Sequence, residues 1–263
     1  MSLPAPVVFG LTLAAFVLLH VVAWKMAEKL GKKPRLITAL ASLLLCLPAA
    51  WFVLYYLHWL PEPPLLYQLR SLPLSEGFLA ALGIAAGFWR SVLPRVLKAF
   101  PTAAGVFLLT IPFLKPVFRP LDLATLHEQW KGDACIQSSY VTCGPASAAS
   151  ILRQLGDKEV TEHELAKEAW TSASGTEAWH LAKALRRRGY EVNFLAPDGL
   201  PDAKDLPGIL GTGMDGAGHF IAVLEITEDE IVYIDPLHGK DRKKIDHFLK
   251  WRTVEPFFMS IRR

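Results

Sequence analysis

Two stretches without a single charged side chain, residues 1–23 and 36–61, limit what this chain can fold into. About 20 consecutive apolar residues suffice for a helix to cross the hydrocarbon layer of a bilayer. Both runs reach that length and are read as membrane spans. A cleaved signal peptide is the competing reading of the first. That run has no positive n-region and no small-x-small site before Lys25, and further apolar runs follow it. Residues 77–89 are too short alone, but reach span length at residue 93 if Arg90 snorkels to the interface. Residues 99–114 extend to 118 in the same way, with Lys115 as the snorkelling residue. Pro101, Pro112 and Pro116 kink or cap that last run, which membrane helices tolerate. The expectation is four helices at about 4–24, 36–60, 77–93 and 99–118. Three spans, with 77–89 re-entrant or interfacial, is the alternative.

Charge divides the chain at the same place. Residues 1–119 hold eleven Lys/Arg and three Asp/Glu, a balance of +8, whereas the remainder balances at −5. The loop after the first run carries Lys25, Lys29, Lys32, Lys33 and Arg35, and a second basic loop carries Arg90, Arg95 and Lys98. Positive loops stay in the cytoplasm. With four spans both chain ends then lie outside; with three, the C-terminal part turns inward. Trp24, Trp51, Tyr55, Tyr56, Trp59 and Trp89 sit where apolar runs end, as in an interfacial aromatic belt. No span carries Asp, Glu or Lys mid-run, which argues against a proton relay or ion pathway, and His20 and Cys46 are read as packing residues. This composition excludes a single soluble protein, a disordered chain, a collagen-like chain and a disulfide scaffold. A nucleic-acid binder is excluded as well, because the positive excess lies in the apolar half. The expected organisation is a transmembrane region over 1–119 and a soluble domain over 120–263, in an integral protein of a bacterial inner or plasma membrane.

From residue 120 the pattern changes to short amphipathic segments. Residues 143–155 read as a helix, with Pro145 near its start, apolar Ala146, Ala149, Ile151 and Leu152, and Gly156 as the stop. A second helix begins at Thr161, which forms a capping-box pattern with Glu164. A third covers 176–188. Strands are expected at 190–195, 206–210, 219–226, 231–234 and 254–261, with a short helix at 243–250. Helices first and an antiparallel sheet second make an α+β domain.

Three residue types in this half can combine in one reaction. Cys143 opens a helix, where the positive end of the dipole stabilises a thiolate and so makes a nucleophile. His219 starts an otherwise apolar strand. Asp235 ends the next one, and the acidic turn at 227–230 folds the two into a hairpin. Their outer ends therefore meet, within a few residues of register. An acid beside a histidine fixes its tautomer and stabilises imidazolium. Gln137, six residues before Cys143, can fold back on the helix start and, with the Cys143 backbone N–H, donate to an oxyanion.

The segment from Asp133 through Gln137 to Cys143-Gly-Pro-Ala, then Gly218-His219-Phe and Asp235-Pro, resembles the bacteriocin-processing (double-glycine leader) cysteine peptidases. The Gln, Cys, His, Asp order and the spacings of six and sixteen residues match that family's pattern. The resemblance covers residues 132–239 and leaves the membrane half out. It implies a papain-like fold, Cys143 as nucleophile, His219 as general base, Asp235 as orienter and Gln137 as oxyanion donor, with no cofactor and no metal. It also implies a peptide or protein substrate, cleaved after small residues such as a Gly pair. Members of the family are fused to peptide-exporting ABC transporters. This sequence shows no P-loop, so it resembles a stand-alone membrane-anchored relative, and an exporter or other membrane partner stays open. The catalytic domain is expected outside the cytoplasm. A non-catalytic peptide-binding module and a thioester-forming acyl- or amidotransferase on the same fold are the alternatives.

Other motifs carry less. Gly211-Thr-Gly213-Met-Asp-Gly216 fits the dinucleotide fingerprint in letters, but a strand follows where a helix is required. His163-Glu164 begins a zincin-like pattern that Lys167 breaks. Cys135 and Cys143 lack zinc-pair spacing, although a disulfide between them would silence the nucleophile. His163, His180, His238 and His247 are expected at the surface.

Overall fold

A computed structural model describes residues 3–57, 62–214 and 217–263. Trp59 of the expected aromatic belt, and Asp215 and Gly216 of the glycine motif at 211–216, lie outside the described residues. The chain forms two compact units: Leu3–Glu62 with Pro73–Phe118, and Pro63–Leu72 with Arg119–Arg263.

The first unit is helical. It contains α1 (Ala5–Glu28), α2 (Lys32–Ser42) running through a 3₁₀ turn into α3 (Leu47–Leu57), a 3₁₀ stretch Ser75–Ala81 leading into α5 (Leu82–Val92), then α6 (Phe100–Thr110) and α7 (Leu114–Phe118); α4 (Pro64–Arg70) belongs to the other unit. Three stretches, Ala5–Glu28, Lys32–Phe52 and Arg95–Phe118, are long and apolar enough to cross a membrane. Pro64–Arg70 and Ser75–Val92 pass that test only as a pair bent by 85°. The third expected span is thus shorter in residues than a regular one. Its seven 3₁₀ and eleven α-helical residues still reach about 30 Å, the thickness of the hydrocarbon layer. Leu11, Val17, Leu18 and Val22 are exposed on α1, where a helix facing water would carry polar groups. The opposite side of α1 meets α5 at backbone distance: a Cβ on Gly83 would strike the Phe16 carbonyl, and one on Gly87 that of His20. Small residues four apart let membrane helices approach this closely. The Arg90 guanidinium lies 4.7 Å from the Trp24 ring centre, an interfacial cation–π contact.

The second unit is α+β. A two-stranded ribbon, β1 (Gln129–Lys131) and β2 (Ala134–Ile136), precedes α8 (Cys143–Gln154), α9 (Glu162–Glu168) and α10 (Ala178–Arg187). Then come β3 (Glu191–Leu195), β4 (Gly208–Met214), β5 (Ala217–Ile226), β6 (Glu230–Asp235), β7 (Gly239–Lys244), α11 (Ile245–Trp251) and β8 (Thr253–Arg262). The last six strands form one antiparallel sheet in the order β3-β8-β4-β5-β6-β7. The helices read from the pattern are present, and Thr161 caps α9 by accepting the Glu164 N–H at 3.1 Å. Ala146, Ala149, Ile151 and Leu152 are wholly buried on α8, and the other residues from 144 to 152 are buried too. Strand β7 gives no apolar alternation because it is an edge strand, and Lys240, Arg242 and Lys243 protect its free edge from pairing.

Two placements differ from expectation. The Pro-rich loop around residue 66 folds into α4, and Tyr67 packs on Phe194 and Phe257 at 5.2 and 5.3 Å between ring centres. Gln68 donates to the Val192 carbonyl, and Arg186 to Ser71. Seven residues lacking helical periodicity hold this form because the sheet supplies the aromatic partners. His180, expected at the surface, is buried on α10 between Trp170 and Trp179, with ring centres at 4.8 and 5.5 Å.

Candidate active site

Cys143 is the first residue of α8, directly after Thr142. The tight turn before it is closed by Thr142, whose hydroxyl donates to the Ser139 carbonyl at 2.7 Å while the Ser139 N–H donates back to that hydroxyl. Gly144 explains how the helix start sits so close to the sheet. A Cβ there would lie 3.3 Å from Leu181 and 3.4 Å from Phe220. Ser147, one turn on, donates to the Phe220 carbonyl at 3.1 Å and fixes α8 to β5 beside His219.

Register brings the acid to the imidazole. Ala222 lies opposite Ile234, so Asp235 projects from the same face as His219, one diagonal step away and within reach of a long side chain. His219 Nε2 and Asp235 Oδ1 are 3.0 Å apart, and both side chains are almost wholly buried. The hairpin reading of these two residues and the observed geometry agree. Asp235 Oδ1 also accepts the Leu237 N–H at 2.9 Å, and Arg252 binds Oδ2. With Nε2 occupied, Nδ1 is the ring nitrogen left for the thiol.

Burial alone would depress the imidazole's pKa. Hydrogen bonds that the ring donates to Asp235 and Cys143, with the charges of both, overcome it and push His219 up to about 9. Burial likewise opposes ionisation of Asp235, yet the His219 bond, the Leu237 N–H and the Arg252 charge hold it down at about 2. The site therefore keeps an anionic acid and a protonated ring side by side at neutral pH.

Gln137 is anchored on two sides. Its backbone N–H donates to the Pro236 carbonyl at 2.9 Å, next to Asp235, and its side-chain amide donates to the Ser139 carbonyl at 2.8 Å. A second amide hydrogen remains available. Cys135 and Cys143 are both free thiols. Cys135 is buried on β2, and burial with the nearby Glu162 charge pushes its thiol upward, away from reactivity. Among the described residues no cluster of His, Cys, Asp and Glu is placed to hold a metal.

Arg252 and Glu162 escaped the sequence reading. Arg252 follows a short helix and precedes the last strand, and no spacing rule links such a position to an acid 17 residues earlier. Glu162 stands where any helix welcomes an acid, so its type alone signals nothing.

Helices followed by an antiparallel sheet, with a helix-start thiol beside a buried His–Asp pair, match the papain-like peptidase fold. Residues 133–254 match the model of the Peptidase C39 family. Over 123 residues the chain is 33% identical to the lactococcin-G-processing and transport ATP-binding protein LagD of Lactococcus lactis, covering 45% of this chain and 17% of LagD. It is 32% identical over 121 residues to an uncharacterized protein of Methanothermobacter marburgensis, covering 45% of this chain and 83% of that protein. The peptidase domain of Streptococcus ComA, a bi-functional ABC transporter, aligns at 22% identity and a TM-score of 0.42, over 52% of this chain and 97% of that one. The chain belongs to the peptidase C39 family.

Proposed function

We propose that this protein is a membrane-anchored cysteine endopeptidase in which Cys143, His219 and Asp235 form the triad and residues 120–263 are the catalytic domain. The buried 3.0 Å His219–Asp235 pair beside the helix-start thiol carries the reading. The Cys143 sulfur attacks the scissile carbonyl, forming a C–S bond and an oxyanion. His219, protonated in the resting site, gives its proton to the leaving amine as the C–N bond breaks. Water then attacks the thioester with His219 as base; the C–S bond breaks, releasing the acid and restoring the thiolate beside a protonated His219. Asp235 keeps the imidazolium oriented. The Cys143 N–H and the free amide hydrogen of Gln137 receive the oxyanion. LagD processes lactococcin G by name, which supports a peptide precursor as substrate; cleavage after a Gly pair is what the family resemblance implies. A Cys143→Ala protein reconstituted in lipid should fail to cleave fluorogenic peptides ending in Gly-Gly that the parent cleaves. Equal cleavage by both would sink the proposal.

The grouping of α4 with residues 119–263 supports one side of the membrane over the other. Residues 63–72 and 119–263 are one compact unit, so both ends of the intervening segment 73–118 emerge on the same side. That segment must then cross an even number of times, which supports Ser75–Val92 as a true span. Four crossings with both basic loops in the cytoplasm favour an extracytoplasmic catalytic domain. A C-terminal reporter active only outside the cytoplasm should be active; one active only inside should be silent. The reverse pattern would overturn this topology.

A further inference from the structure

Glu162 is a carboxylate only 1% exposed, at the first position of α9. Its carboxylate accepts the Ser138 N–H at 2.9 and 3.2 Å, and the Ser138 hydroxyl as well. Ser138 sits between Gln137 and Ser139, and the Ser139 carbonyl is what the Gln137 amide binds. Three consecutive residues are thus tied down: Gln137 to the end of β6 through Pro236, Ser138 to α9, and Ser139 to the Thr142 turn. The Ser138 oxygen also accepts the His127 N–H at 3.2 Å, and its one hydroxyl proton is shared between Glu162 and the His127 carbonyl, 2.7 Å away, so the loop is held from both sides.

A burial this complete is costly for an anion unless charged hydrogen bonds and the helix N-terminus offset it. A surface loop needing only to be closed could be closed by a neutral acceptor. Oxyanion donors differ from ordinary loop residues because their contribution depends on being fixed before charge develops. The bonds of Glu162 run to the residue next to the one with that task.

We propose that Glu162 is a positioning residue that acts through Ser138 to hold the Gln137 amide where the oxyanion forms. The inference rests on the reading of Gln137 given above. Glu162 touches no reacting atom, and its effect passes entirely through Gln137.

The test is a double-mutant cycle in the full-length protein, reading kcat and KM on a fluorogenic Gly-Gly peptide and the inhibition constant of the matching peptide aldehyde, whose adduct carries the tetrahedral oxygen. Glu162→Ala should lower kcat roughly tenfold with KM unchanged, and weaken the aldehyde by a similar factor. In a Gln137→Ala background the same change should cost less than twofold, because the group it positions is gone. Glu162→Gln, which keeps an acceptor for Ser138, should recover most of kcat and covers the case in which the alanine protein folds poorly. Additive losses in the cycle, or a Glu162→Gln protein as impaired as Glu162→Ala, would overturn the proposal. A Gln137→Ala protein with undiminished kcat would overturn it together with the role given to Gln137, while leaving the triad standing.

Discussion

Replacing Asp235 with asparagine keeps the shape of the site and removes the charge that holds His219 protonated. Its size can be bounded from both partners. His219 stands at about 9 against 6.5 for a free imidazole, which amounts to about 3 kcal/mol, and part of that comes from Cys143. Asp235 stands at about 2 against 3.8, or about 2 kcal/mol, and part of that comes from Leu237 and Arg252. The two figures overlap, so they are not summed, and the smaller is the better bound on the pair. Loss of about 2 kcal/mol moves the ring by about 1.5 pH units. The sign is fixed: a cation favoured by an anion loses its proton more easily when the anion is gone. The free-enzyme profile, kcat/KM against pH, should therefore show an alkaline limb near 9 in the parent. In Asp235→Asn the limb should fall to about 7.5, with a roughly hundredfold or greater loss at the optimum, because amide and ring then compete for the tautomer. A variant whose limb stays with the parent's would refute the claim that Asp235 sets the protonation of His219.

Arg252→Met should lower kcat/KM roughly three- to thirtyfold and raise the pH at which activity fails on the acid side, because Asp235 then loses the charge that depresses it; the acid limb of the same profile is the readout. Gly87→Leu should separate α1 from α5, costing about 2 kcal/mol or more, since the new side chain meets the His20 backbone; it is read as a lower melting temperature in detergent by size-exclusion, with Gly87→Ala milder. Tyr67→Ala should destabilise the catalytic unit by about 2–3 kcal/mol through lost contact with Phe194 and Phe257, whereas Tyr67→Phe keeps the rings and should melt like the parent.

Much of this was legible before any coordinates. Uncharged runs fix membrane helices because lipid accepts no unpaired polar group, and that rule needs no tertiary context. Helix α8 was legible from Pro145 near its start and Gly156 past its end, and the His219–Asp235 meeting from a hairpin whose turn is four acidic or polar residues. Local periodicity and turn chemistry determine those features within a few residues of sequence. Strand β7 failed because charged residues on an edge strand look like a loop, and α4 failed because seven residues carry too little pattern to reveal a partner 120 residues away.

The sequence by itself determined which segments are apolar enough to cross a membrane, which helix presents the thiol, and which two strands bring an imidazole to an acid. Tertiary structure alone decided that Arg252 closes the far side of Asp235, that Glu162 grips the loop bearing Gln137, and that α4 packs on the sheet between β3 and β8. Each of these joins residues far apart in the chain through side chains whose types are common everywhere. Only the folded backbone sets which of many arginines and glutamates comes within bonding distance, because such contacts depend on position in space and leave no period in the sequence.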